Sequence, residues 1–123
     1  MKRVIYSMSR ITGMANLNPQ KSGLGSVVIW SDHGGVSRKV KHNEPRVKLS
    51  KGDMSIVVSI SENPEILSKS KSVSSQKKQK EFDEGIKYVA RNYDIFMKHY
   101  MDTDFSFDDE DLFNALRDRG EYR

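Results

Sequence analysis

Phe82, Ile86, Val89, Tyr93, Phe96, Met97 and Tyr100 recur at steps of three and four, which lays them along one stripe of an amphipathic helix. The spacing predicts a helix that starts between Ser74 and Lys80 and runs to Met101. At 1.5 Å per residue it is ~30–40 Å long and crosses a small domain. Tyr88 and His99 fall off the stripe and read as flank or surface positions.

Upstream the period changes to two. Val4, Tyr6 and Met8 alternate with Ile5, Ser7 and Ser9, a first strand. GMANLNPQKSGLG, from Gly13 to Gly25, is dense in turn formers and reads as a loop, serving a partner or packed through Met14 and Leu17. Ser26 to Ser31 encloses the run Val27, Val28, Ile29 and Trp30, expected as a central strand covered on both faces, with Trp30 buried. It leads into Asp32, His33, Gly34 and Gly35, where paired glycines permit a tight turn and close approach of another backbone.

A hairpin follows. A two-residue turn at Lys51-Gly52 sets Ser50 against Asp53, Leu49 against Met54, Lys48 against Ser55, Val47 against Ile56 and Arg46 against Val57. Val47, Leu49, Met54, Ile56, Val58 and Ile60 then share the face that the helix covers, and Arg46 and Lys48 look the other way. Residues 62–75 are polar and Ser/Lys-rich, a mobile connector anchored by Ile66 and Leu67. Near the C-terminus Asp108 caps a helix with Asp111 at its third position, Phe107 packs on Leu112, and Gly120 ends it. The expected fold is therefore α+β. One domain contains an antiparallel sheet of three to five strands (1–61), a linker (62–75), one long covering helix (about 76–101) and a short terminal helix (108–119).

Composition limits the function. A chain of 123 residues supports one core. With no cysteine there is no disulfide frame, thiolate zinc site or cysteine nucleophile. MKRVIYSMSR lacks the apolar stretch of a signal peptide and no apolar run approaches a membrane span, so the expectation is a cytoplasmic protein without a membrane partner. The net charge of +4 conceals a split: residues 1–80 hold 15 Lys/Arg against 5 Asp/Glu, and residues 81–123 hold 6 against 12. Such halves attract each other, or present separate faces to partners.

Candidate sites follow the charge. Arg38, Lys39, Lys41, Arg46 and Lys48 form a basic patch suited to phosphates or a carboxylate-rich partner. With Trp30 taken as buried the patch lacks a stacking platform, which favours electrostatic contact over base readout. Asp104, Asp108, Asp109, Glu110 and Asp111 offer an acidic surface able to imitate nucleic-acid phosphates or to hold a basic protein. The acidic run lacks the spacing and glycine of a calcium loop, and helix capping accounts for much of it. Asp32, His33 and His42 are the candidates for a metal or acid–base site.

The stretch His42-Asn43-Glu44-Pro45-Arg46-Val47-Lys48-Leu49, then Gly52-Asp53, Ile56 to Ile60 and Pro64-Glu65-Ile66-Leu67, resembles a family of short, uncharacterised bacterial proteins. That family carries a His-Asn-x-Pro-His-x-His motif, a Gly-acidic turn, a strand and a C-terminal helix, often beside a small partner in cassettes resembling toxin–antitoxin pairs. The likeness spans roughly residues 28–100, and Arg46 and Lys48 stand where the family has two further histidines. It implies a few strands under a helix, and no activity.

No phosphate-binding glycine loop, zinc cluster, nucleophile elbow or helix-turn-helix is present. The reading is a small non-catalytic interaction protein, without cofactor, of the kind phages and mobile elements carry. It would act by charge on a nucleic acid, a protein or a protein–nucleic-acid complex, with an anti-CRISPR-type inhibitor as one form. A toxin–antitoxin cassette component and a small metal-dependent enzyme using Asp32, His33 and His42 are the alternatives.

Overall fold

The computed structural model describes residues 14–37 and 44–123. The alternating strand at residues 4–8, with Arg38, Lys39, Lys41 and His42, lies outside the described residues. The described chain is α+β. Five strands, β1 (Met14–Leu17), β2 (Val28–Asp32), β3 (Arg46–Lys51), β4 (Met54–Ser59) and β5 (Ile66–Lys69), form an antiparallel sheet in sequence order. Helices α1 (Pro19–Ser22), α2 (Gln76–Gln79), α3 (Asp83–Arg91), α4 (Tyr93–Met101) and α5 (Asp109–Asp118) complete it, with 3-10 turns at Gly35–Ser37 and Lys80–Phe82.

The expected loop from Gly13 to Gly25 contains β1 and α1 instead. Ala15 and Leu17 are buried while Met14 and Asn16 are exposed, a two-residue alternation inside turn-forming composition. Asn18 accepts from the Gln20 N–H, Pro19 opens the helix, and Gly23 at φ +80° closes it. Its Asn, Pro and Gly residues are cap signals of a one-turn helix, not only loop formers.

The hairpin turn is Gly52-Asp53, one residue later than expected. Lys51 pairs with Met54, Ser50 with Ser55, Leu49 with Ile56, Lys48 with Val57 and Val47 with Val58. Gly52 takes φ +59°, the left-handed backbone of the first central residue of a II′ turn. The partners have moved by two positions, and because strand side chains alternate with period two the faces survive. Val47, Leu49, Ile56, Val58 and Ile60 are buried and Lys48 is exposed.

The connector at 62–75 is a correction of the same kind. Ile66–Lys69 pairs with β4 across a bulge at Val57/Val58, and hydroxyls supply what apolar residues do not. Ser70 Oγ accepts from the Ser55 N–H at 3.0 Å, Ser59 Oγ accepts from the Glu65 N–H at 2.9 Å, and Ser72 Oγ donates to the Asp53 carbonyl at 3.0 Å. Val73 is buried.

The single long helix is not observed. Helix formation begins at Gln76 under a Ser75 cap, passes through the 3-10 turn, and breaks at Asn92. There φ/ψ is −119°/24°, and the Asn92 side-chain amide donates to the Tyr88 carbonyl at 3.0 Å, which also accepts from the Asn92 backbone N–H at 3.1 Å. The Asn92 carbonyl then starts α4 by accepting from Ile95 and Phe96. Phe82, Val89, Phe96 and Tyr100 are buried as the stripe requires, but so are Tyr88 and His99. A second layer explains it: α5 and the C-terminal residues cover the flank of α3 and α4 that the sheet does not reach.

That layer is held by specific ties. Asp108 and Asp111 form a reciprocal capping box. The helix ends in a Schellman motif, Gly120 N–H to the Arg117 carbonyl and Glu121 N–H to the Leu116 carbonyl, both 2.9 Å. Tyr88 Oη donates to the Glu121 carbonyl at 2.7 Å, Arg91 pairs with the Glu121 carboxylate, and Arg119 grips Asp94 with both terminal nitrogens. None of the described helices is long and apolar enough to cross a membrane.

Candidate functional site

Among the described residues the helices lie on the side of the sheet that carries the core, and β2, β3 and β4 present their alternate residues to the other side, which no described helix covers and which is here called the open face. The β1–β2–β3–β4–β5 pairings align Asn16, Trp30, Lys48, Val57 and Ser68 in one transverse row on that open face. β2 is thus buried on one face only: Ile29 and Ser31 face the helices, and Trp30 stands half-buried on the open side. Its indole Nε1 donates to Ser50 Oγ at 2.8 Å, and the Lys48 ammonium lies 5.6 Å from its ring centroid. That separation is a cation–π contact. Arg46, two residues from Lys48, shares the face.

Of the five expected basic residues the structure therefore brings Arg46 and Lys48 together; Arg38, Lys39 and Lys41 lie outside the described residues. The aromatic platform that the sequence reading withheld from this face is Trp30. Its run of four apolar residues has no alternation, so parity alone could not assign it; the pairing of Trp30 with Lys48 does.

A second cluster forms where β2 meets the end of α4. His33 Nε2 donates to Asp102 Oδ2 at 2.6 Å, with the two side chains 12% and 3% exposed. Asp102 Oδ1 accepts from both the backbone N–H and the hydroxyl of Ser106. Burial alone would raise the Asp102 carboxyl, but hydrogen bonds from His33 and Ser106 outweigh it and hold the group far below the usual carboxylate range. Close packing requires the glycines here. A Cβ on Gly34 would stand 2.8 Å from the Asp102 carbonyl oxygen, and one on Gly35 would stand 2.3 Å from the Tyr100 ring.

Beside it, His99 bridges Ser31 Oγ at 2.8 Å through Nδ1 and Asp109 Oδ1 at 2.7 Å through Nε2. The carboxylate can only accept, so Nε2 carries hydrogen and Nδ1 of a neutral ring accepts from the serine. Serine, histidine and aspartate in sequence invite a nucleophile reading. Ser31 and His99 are both fully buried, however, which denies a substrate carbonyl any approach to Oγ. What this chain of hydrogen bonds does is join β2, α4 and α5. Sequence reading missed it because the three residues are up to 78 positions apart and His99 falls off the apolar stripe.

The acidic candidates are largely committed. Asp108 and Asp111 cap α5, Asp109 accepts from His99, and Asp104 accepts from the Ser106 N–H, while Glu110 is exposed. Asp32 ends β2 and His33 is engaged with Asp102; His42 is outside the described residues. Among the described residues no three His, Asp or Glu side chains converge as metal ligands. Compared with protein-family models, with curated proteins and with solved structures, the chain has no match in any of the three.

Proposed function

We propose that this protein is a small non-catalytic binder that takes single-stranded nucleic acid on the open face of its sheet, alone or within a nucleic-acid-processing complex that it inhibits. The observation that carries this reading is the Trp30–Lys48 pair at the centre of that face, with Arg46 alongside. An aromatic ring offers any base a stacking surface worth ~1–3 kcal/mol, and adjacent cations take the phosphates. Binding of a labelled single-stranded oligonucleotide, followed by fluorescence anisotropy at low salt, tests it. Trp30→Ala should weaken binding ~10-fold or more, and Lys48→Glu comparably; an unchanged affinity in both variants would overturn the reading.

A second reading, contact with a basic protein, is favoured by Phe105. This residue is 74% exposed in the acidic loop between α4 and α5 and is held at φ +63°, with its ring 5.0 Å from His33. Capture of a protein that survives nuclease treatment and is lost on Phe105→Ser would favour it over the first.

A further inference from the structure

Between Ile66 and Lys80 the chain holds five lysines and no acidic residue. Lys71, Lys77, Lys78 and Lys80 are exposed, and none of them forms an ion pair among the described residues. Lys69 donates to Gln79 Oε1 at 3.2 Å, which ties β5 to α2. The segment between them is fixed by buried Val73 and by hydrogen bonds of Ser70 to Ser55 on β4 and of Ser72 to Asp53 in the β3–β4 turn, so these charges occupy a built corner. Lys77 and Lys78 lie in the first turn of the helical run, where their charge opposes the peptide dipoles, and a carboxylate that feels both, Glu81, is hydrogen-bonded to Lys51.

The corner adjoins the open face. The transverse row that passes through Trp30 ends at Ser68 on β5, three strand spacings or ~14 Å from Trp30, and the next residue is Lys69. Lys69 pairs with core-facing Ile56 and so points to the helix side, which carries positive charge around the β5 edge.

We infer that this lysine corner is a second phosphate-binding surface, over which a single strand stacked on Trp30 continues around the β5 edge; this rests on the open-face reading. The corner contributes backbone contacts without base selectivity.

The test compares the full chain with a variant carrying Lys71→Gln, Lys77→Gln, Lys78→Gln and Lys80→Gln. The probe is a single-stranded DNA oligonucleotide of about twenty bases titrated across a range of salt. Each lost phosphate contact lowers the slope of log K against log salt by ~0.7 for single strands. The expected result is a slope shallower by ~2–3 and a loss of affinity of at least tenfold near 0.1 M salt, with Trp30 emission still quenched at saturation. An unchanged slope with quenching intact overturns the lysine corner and leaves the open face standing. Absence of quenching in the unaltered protein overturns both. Affinity for anionic phospholipid vesicles that the variant loses, with its oligonucleotide slope unchanged, assigns the corner to a membrane surface and overturns it as a nucleic-acid contact.

Discussion

His99 Nδ1 lies 2.8 Å from Ser31 Oγ, and this contact fastens the end of α4 to the central part of the sheet. Both side chains are fully buried, so removing one leaves the other without its partner in a site closed to water. His99→Ala should cost ~3 kcal/mol and lower the melting temperature by about 10 °C. Asp109→Asn, at the half-exposed end of the same chain, keeps an acceptor for Nε2 and should cost under ~1 kcal/mol. Thermal unfolding of the two variants checks the contrast.

Gly35 and Gly85 make different demands. A Cβ on Gly35 meets the Tyr100 ring at 2.3 Å, and that ring is buried with nowhere to swing. A Cβ on Gly85 meets the tip of Leu49 at 2.5 Å, an atom that another rotamer can move, and alanine gains helix propensity there. Gly35→Ala should therefore destabilise by ~2–3 kcal/mol, and Gly85→Ala by less than half as much, as measured by urea denaturation.

Carboxylates held below their ordinary range make the fold acid-sensitive. Arg119 holds Asp94 below its ordinary range, Arg91 does the same for Glu121, and Asp102 is lowered by hydrogen bonds that outweigh its burial. Each binds protons less readily folded than unfolded. Its stabilisation is thus present above the unfolded value near ~4 and is lost as pH falls through the folded value. Arg119→Ala removes the main cause of the Asp94 shift. The gap in melting temperature between this variant and the unaltered protein should be widest at neutral pH and narrow below about pH 4. A gap independent of pH would contradict the assignment.

Asn92→Ala deletes the side-chain donor to the Tyr88 carbonyl and the acceptor that Arg119 reaches at 3.4 Å. The expected cost is ~1–2 kcal/mol despite the higher helix propensity of alanine, with far-ultraviolet circular dichroism little changed. A stabilised variant would show that the break between α3 and α4 is set elsewhere.

Features governed by local pattern were legible in the chain. The capping box at Asp108 and the closing Gly120 are read from adjacent residues, and both are found as expected. The faces of the hairpin survived a turn misplaced by one residue, because the resulting shift of two partners preserves parity. What failed was whatever depended on a second layer or on side chains competing for backbone groups. The stripe from Phe82 to Tyr100 describes a helix with one covered side, whereas α5 covers another and buries Tyr88 and His99. Asn92 carries no break signal of the strength of proline. Ser70 and Ser72 anchor a segment whose composition reads as a mobile connector. For the candidate site, Arg46 and Lys48 followed from alternation, but Trp30 required the β2–β3 register, a long-range pairing with no local signal.

Trp30 is the only tryptophan in the chain, so its emission reports the proposed site without a label. The most direct test is titration of the unaltered protein with a single-stranded oligonucleotide at low salt while that emission is followed. A base stacked on the indole predicts saturable quenching that salt reverses and that Lys48→Glu shifts to ~10-fold higher oligonucleotide concentration. Emission that stays constant through concentrations at which anisotropy reports binding would place the nucleic acid elsewhere and contradict the open face as the site.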